Sequence, residues 1–424
     1  MKVLWFTDSP SLAAGHLNLK VNITGWIESL QKVIMNFDEI ELGVAFPFGN
    51  SDEKRFSIDN VQYYSYPYPK RKLGMSGWFE RWKHTIEPQS TIDYYLKIVE
   101  EFQPDVIQIF GTEAPFGQII PLVKQPVVIH IQGNLTVYEY KWFSGITETQ
   151  IFRHSNLKSI IKAYGLWHLF YHFSNRAERE RAIMKNCKYF TGRTNWDRRI
   201  SRVLSPESTY FHCDELLRNE FYESDRWQIP SGEKVVLVST VSSMPYKGLE
   251  TVLRTLQLLN SNESNKFEWH IAGMKGTEEI VGVIEKATKT KFADQNIKFR
   301  GSLNPTELLA TLLQANLYIH PSHIENSPNS VCEAMLIGMP VIATYSGGTP
   351  EMVANGVDGF LVQDGDPWSL AGAINELISD PGKMLEFGQK AHERAVIRHN
   401  RENVGQTMFQ IYKAITLTEN KKQQ

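Results

Sequence analysis

A chain of 424 residues is longer than one hydrophobic core usually serves, so two or three domains are expected. The 42% apolar content is ordinary for a globular protein, and a net charge of −2 gives no global field favouring nucleic acid. Cys187, Cys213 and Cys332 are far apart and lack metal-ligand spacing, which reads as reduced thiols in a cytosolic protein. The apolar run after Lys2 stops at Asp8, too soon for a signal peptide, and no 18-residue apolar run offers a membrane span.

In chain order, residues 2–7 read as a buried strand. A loop over 8–25 follows, holding Gly15 and Gly25, then a helix over 26–35. No Gly-x-Gly-x-x-Gly follows the strand, which argues against a dinucleotide fingerprint. Strands are expected over 41–46 and 61–65. The stretch 66–83 mixes Pro, Tyr, Trp, Lys and Arg, and suits a solvated insertion or an acceptor-side or membrane-surface loop. A helix over 91–102 leads to a strand over 104–110, and another strand over 127–131 places His130 at its carboxyl end. Ligands in open α/β sheets sit at such ends. Residues 142–202 are basic and aromatic together. They suit an amphipathic face on anionic lipid, or helices packed on the sheet with a solvated basic face. A strand over 189–191 is followed by Arg193, placed to reach a phosphate or an acceptor, or to support the cleft by packing.

Residues 205–232 lack periodicity and contain Pro206, Pro230 and Gly232, so they read as a linker. A second strand–helix series follows, with strands over 234–240, 269–273, 297–301, 317–320, 341–344 and 360–362. Helices over 248–259, 278–288, 305–314, 328–337 and 368–379 alternate with them. Regular alternation of this kind builds a parallel, doubly wound sheet. A final helix over 401–417 precedes a tail over 419–424 expected to fray.

The densest chemistry lies in 317–340. A short apolar strand ends at Pro321 and Ser322. Ser327 is a plausible N-cap with Pro328 in the first turn, and Gly338 and Pro340 mark the helix end. The leading amides of Asn329, Ser330 and Val331 would form an anion site at the positive end of the helix dipole. Glu325 precedes the helix and Glu333 lies inside it, their backbones about 10 Å apart. Such a pair suits two ends of one long ligand better than two acids acting across one bond.

Glu325, seven residues and Glu333, followed by Ala334-Met335, Gly338, Pro340 to Ala343 and Ser346-Gly347-Gly348-Thr349-Pro350-Glu351, resembles the donor site of the retaining glycosyltransferases of family 4, which have the GT-B fold. The resemblance continues through Asn355 to Val362, Asp366 and Leu370; it is good over 235–394 and loose before that. It implies an α/β architecture of two Rossmann-like doubly wound domains facing each other across a cleft. The expected divisions are an N-terminal acceptor-side domain over 1–204 joined by the helix 401–417, a linker over 205–232, and a nucleotide-sugar donor domain over 233–400. By the same resemblance, Lys247 binds the diphosphate, Glu325 supports the transferred sugar, Glu333 binds the ribose and His130 contacts the sugar. Met274, Lys275 and 300–302 stand where the family holds the base. The family often has an arginine five positions before this lysine, where Ser242 stands; Arg193 is the proposed substitute. A glycine pair is common in the family's first loop, and here only Gly25, after Thr24, occupies what resembles that place; Gly15 and Gly25 are the expected acceptor-side residues.

The function implied is transfer of a hexose from a nucleotide diphosphate sugar to a glycan or lipid-linked acceptor, with retention. No Asp-x-Asp motif is evident at the site, so no metal or other cofactor is expected, and no nucleic-acid partner. A cytoplasmic location with peripheral contact to an anionic membrane face fits the basic aromatic stretches, within polysaccharide biosynthesis. A nucleotide-sugar epimerase and a non-catalytic GT-B partner subunit are the alternatives.

Overall fold

The computed structural model describes residues 1–17, 25–49, 53–68, 74–86, 90–261 and 266–423. Part of the first loop, including Thr24, and the basic residues Lys70, Arg71 and Lys72 lie outside the described residues. The chain divides into two compact units. The first comprises Met1–Thr136, His172–Leu216 and His399–Gln424; the second comprises Val137–Tyr171 and Leu217–Arg398.

The first unit is built on strands β1 (Lys2–Phe6), β2 (Glu41–Pro47), β3 (Lys54–Ile58), β4 (Val61–Tyr66), β5 (Val106–Phe110), β6 (Val127–His130), β7 (Tyr189–Gly192) and β8 (Thr209–His212). Their order is β3-β4-β2-β1-β5-β6-β7-β8, parallel except for the β3–β4 pair. Central strands such as β5, Val-Ile-Gln-Ile-Phe, are buried along their whole length because both sheet faces are covered. Alternation then sorts their side chains between two cores. Val3 and Trp5 pack with Leu30 and Ile34 of the helix Trp26–Ile34 and with Met408 and Tyr412 of the helix Arg401–Gln423. Leu4 and Phe6 pack with Tyr95 and Ile98 of the helix Ser90–Phe102. The Trp5 indole N–H donates to the Tyr412 hydroxyl at 3.0 Å, giving the buried ring a polar partner.

The second unit holds β9 (Lys234–Thr240), β10 (Lys266–Ala272), β11 (Ile297–Gly301), β12 (Leu317–His320), β13 (Val341–Thr344) and β14 (Phe360–Val362), in the all-parallel order β11-β10-β9-β12-β13-β14. The order reverses where β12 joins β9, a switch point of the kind where crevices open at strand carboxyl ends. Both units are therefore parallel α/β layers, as expected from the alternation.

Several expectations are corrected. The stretch over 137–171 belongs to the second unit rather than to an N-terminal domain running to 204. It is pinned there by Glu279, which accepts from the Ser159 hydroxyl at 2.7 Å and the Leu166 amide at 2.8 Å. The expected linker contains β8, which pairs with β7, and a short helix, Asn219–Tyr222. The helix Arg401–Gln423 continues through the expected frayed tail, where Glu419 accepts from the Tyr189 hydroxyl at 2.6 Å. Among the described residues no helix is long and apolar enough to cross a membrane.

Candidate active site

The site is built on the loop between β12 and the helix Asn329–Leu336. The strand is fully buried and ends at His320; Pro321 breaks the ladder. Two glycines let the loop sit against its neighbours. Gly248 has φ +74°, and a Cβ there would lie 2.0 Å from the Pro321 carbonyl oxygen. Gly347 has φ +55°, and a Cβ there would lie 1.9 Å from the Glu325 carbonyl oxygen, which instead accepts the Gly348 amide at 2.9 Å. Only glycine combines that backbone conformation with such closeness.

The helix starts differently from the sequence expectation. Pro328, not Ser327, occupies the N-cap position and no side chain caps it. The Ser327 hydroxyl turns instead to the Met352 sulfur at 3.3 Å. The Val331 amide donates to the Pro328 carbonyl at 3.0 Å and its side chain is core, so Val331 does not belong to an open anion site. That leaves Asn329 and Ser330. The Asn329 Oδ1 is itself buried with no hydrogen-bond partner among the described residues. At the other end, Gly338 (φ +80°) donates to Met335 O at 2.9 Å and Met339 to Ala334 O at 2.9 Å, a Schellman closure that fixes the helix length.

The charges around the loop are arranged in two groups. The Lys247 ammonium pairs with Glu325 Oε2, and the Tyr138 hydroxyl donates to Glu325 Oε1 at 3.3 Å. His320 Nε2 stands 4.0 Å from the same carboxylate. Burial pushes the Glu325 carboxyl up, but Lys247, with His320 and Tyr138, holds it below the usual carboxylate range. Burial lowers His320 to about 4, so the ring is neutral, and both of its nitrogens lack hydrogen-bond partners among the described residues. Glu333 lies in the other group. It is 1% exposed and takes a bidentate fork from Arg218, Nε to Oε1 at 2.6 Å and Nη2 to Oε2 at 2.5 Å. Burial holds its carboxyl above the usual range against the pull of Arg218.

In the first unit, His130 does end β6. Its Nδ1 is 2.9 Å from the Thr191 hydroxyl, its Nε2 has no partner among the described residues, and its ring lies 4.9 Å from that of Trp26. Burial lowers it to about 3, assisted by Arg193, so this ring too is neutral. Gly25 occupies the N-cap position of the helix Trp26–Ile34; Gly15 ends a 3-10 turn, Ser11–Ala14. Both have negative φ, and a Cβ on either would meet open space, so neither fold position demands glycine. Arg193 is 3% exposed. Its guanidinium donates to Gln132 O at 2.7 Å and lies 3.4 Å from Glu215, itself fully buried. This corrects the expectation of a reaching arginine: its charge is neutralised inside the first unit.

The sequence reading missed Tyr138, His320 and Arg218. Tyr138 and Arg218 lie in stretches read as first domain and linker. His320 carried a signal, a polar residue closing an otherwise apolar strand.

Residues 221–394 match the family model described as Glycosyl transferases group 1. A D-inositol 3-phosphate glycosyltransferase of Corynebacterium efficiens is 35% identical over 153 residues, 36% of each chain. A glycogen synthase of Mycobacterium tuberculosis is 31% identical over 144 residues, 34% of each chain. The match thus spans about a third of the length of these curated relatives. Among solved structures, sucrose-phosphate synthase of Thermosynechococcus elongatus superimposes with a TM-score of 0.70 at 14% identity, covering 99% of this chain and 100% of that one. HepE of Anabaena, solved with UDP and glucose, gives 0.66 at 16% identity, covering 97% and 99%. The stretch 221–394 is accordingly a glycosyl transferases group 1 domain, and the two parallel-sheet units have the GT-B glycosyltransferase fold.

Proposed function

We propose that the protein transfers a hexose from a nucleoside diphosphate sugar to a hydroxyl of a glycan or lipid-linked acceptor, with retention at the anomeric carbon. The observation that carries the reading is the Lys247–Glu325 pair beside an uncapped helix start, inside a group 1 glycosyltransferase domain. The diphosphate would take the amides of Asn329 and Ser330 and draw the Lys247 ammonium from Glu325. These donors meet the charge that develops as the leaving group departs. Freed from Lys247, Glu325 accepts from sugar hydroxyls and supports the cationic ring. The acceptor attacks on the face the leaving group vacates, so no protein nucleophile is needed. Positive charge comes from lysine and helix amides, so the reaction is proposed to run without a metal. Glu333, held by Arg218, is oriented to accept from ribose hydroxyls. In the first unit the unpaired His130 Nε2 offers a hydrogen bond to a sugar hydroxyl, with Gly15 and Gly25 on the acceptor side.

Titration calorimetry with UDP, GDP and ADP tests the donor site; no binding by any of them refutes it. Incubation with UDP-sugars, acceptor glycans and EDTA, read by NMR of the anomeric proton, tests retention and metal independence. Donor consumed without acceptor would instead indicate an epimerase. Peripheral contact with an anionic membrane is part of the reading. It is supported by Leu157, Ile161 and Tyr164, all more than half exposed, among Lys158 and Lys162. Co-sedimentation with phosphatidylserine vesicles but not with phosphatidylcholine vesicles is expected.

A further inference from the structure

The loop that carries Glu325 is held by a charged group for which the proposed chemistry has no use. His323 is 2% exposed. Its Nε2 lies 2.7 Å from Glu250 Oε1 and its Nδ1 3.3 Å from Asp364 Oδ2. A carboxylate oxygen faces each ring nitrogen, the arrangement in which both nitrogens donate and the ring is an imidazolium. The two acids come from separate elements: Glu250 from the first turn of the helix Leu249–Asn260, Asp364 from the turn after β14. Other groups complete the surroundings. Lys141 Nζ is 3.5 Å from Asp364 Oδ2, and the Thr251 hydroxyl donates to Glu250 Oε1 at 2.8 Å. Gly145 closes over the pair with φ +79°; a Cβ there would lie 2.0 Å from Glu250 Oε1 and 2.7 Å from His323 Nε2. The His323 amide donates to Tyr246 O at 2.8 Å, one residue from Lys247. Lys247, Tyr246, Glu325, His320 and Tyr138 are further charged or titratable groups at the loop and its neighbours among the described residues.

We infer that His323 is a positioning residue: a buried imidazolium strut, held between Glu250 and Asp364, that fixes the 321–328 loop and with it Glu325 and the start of the helix Asn329–Leu336. Its functional consequence rests on the donor site proposed above. The two acids are not equally dependent on it. Asp364 keeps Lys141 when the ring loses its proton. Glu250 keeps the Thr251 hydroxyl, and its Oε2 is buried with no hydrogen-bond partner among the described residues. A stranded buried carboxylate is costly, so the loop must open or water must enter. Burial lowers the histidine, but Glu250 and then Asp364 outweigh it, and the net direction is up. A raised histidine stabilises below its unfolded value, and that stabilisation is lost as pH rises through the folded value. Loop order and donor affinity therefore fall on the alkaline side.

The test has three readouts. The His323 Cε1–H resonance, assigned by its absence in H323Q, is titrated in wild-type protein; a midpoint above about 6.5 is expected. Hydrogen exchange of the 321–330 peptide at pH 7 is compared between wild type, H323Q and E250Q/H323Q. Exchange about tenfold faster in H323Q, largely restored in the double variant that also removes the negative charge, is expected. UDP affinity between pH 6 and 9 is expected to fall about threefold or more through the NMR midpoint in wild type and to stay flat in the double variant. A midpoint at or below the ordinary histidine value overturns the strut, as does wild-type exchange in H323Q. A flat UDP profile in wild type overturns the link to donor binding. If UDP, GDP and ADP all fail to bind wild type, the donor reading falls while the first two readouts still decide the strut. If H323Q does not fold, the wild-type titration and the double variant still decide it.

Discussion

The carboxyl ends of β12 and of β6 and β7 present the same ingredients, histidine, acid and cation, in opposite states. After β12, Lys247 and Glu325 are each partly exposed and paired with each other, Tyr138 donates to Glu325, and both His320 nitrogens lack hydrogen-bond partners among the described residues. After β6 and β7, Arg193 and Glu215 are buried together. Asp197 accepts the Arg193 amide at 3.0 Å and the Tyr210 hydroxyl at 2.5 Å. The first arrangement leaves hydrogen-bonding capacity for a ligand to complete at the charges themselves; in the second the charges are neutralised within their own unit, and the open position is His130 Nε2, which lacks a partner among the described residues. Solvent access to the paired charges, rather than charge itself, separates the two: Lys247 and Glu325 are reachable by a ligand, whereas Arg193 and Glu215 are not.

The sharpest way to break this comparison is Glu325→Gln. Turnover is expected to fall about a hundredfold or more, as when a transition-state contact is removed, with donor affinity nearly unchanged. Initial rates beside titration calorimetry check it; a loss of affinity alone would move Glu325 out of the chemistry. Lys247→Ala comes next, raising the donor dissociation constant at least about tenfold, one charge-assisted contact's worth. Gly347→Ala probes the loop itself. Its Cβ would collide with the Glu325 carbonyl at a left-handed backbone position, so a stability loss of about 1–3 kcal/mol is expected in chemical denaturation. Smaller still is a pH effect. His130 (about 3) and His320 (about 4) stay neutral in the folded protein while the unfolded chain takes up protons below its ordinary value. The stability they contribute is present above about pH 6.5 and is lost below it, each by up to about 1.4 kcal/mol per pH unit. His320→Leu should flatten the melting-temperature slope between pH 6.5 and 5. The smallest effect is expected from Arg193→Lys. It keeps the buried charge beside Glu215, and donor affinity should stay within about twofold; a tenfold loss would return Arg193 to the donor site.

How much was legible depends on how far apart in the chain the deciding atoms lie. The β12 strand, the loop and the C-terminal end of the helix were readable because Pro321, Gly338 and Pro340 act on their own backbone within a few residues. Lys247 and Glu325 were found through family resemblance; their pairing across 78 residues is a fact of the folded unit. The helix start was misread because the Ser327 hydroxyl packs on Met352, 25 residues further on, instead of capping. Between the two roles open to Arg193, reach or packing, the sequence could not choose, because its buried partner Glu215 lies in another element.

The sequence by itself determined the parallel α/β class in both halves, since strand and helix periods and their glycine and proline stops are local properties of the chain. It also determined which acid and lysine of the second half to examine. Only tertiary structure decided that 137–171 belong with the second unit, that Arg218 forks onto Glu333, and that His323 lies between two acids. Those outcomes depend on which polar groups lose water together, and burial is a property of the assembled core, not of any segment within it.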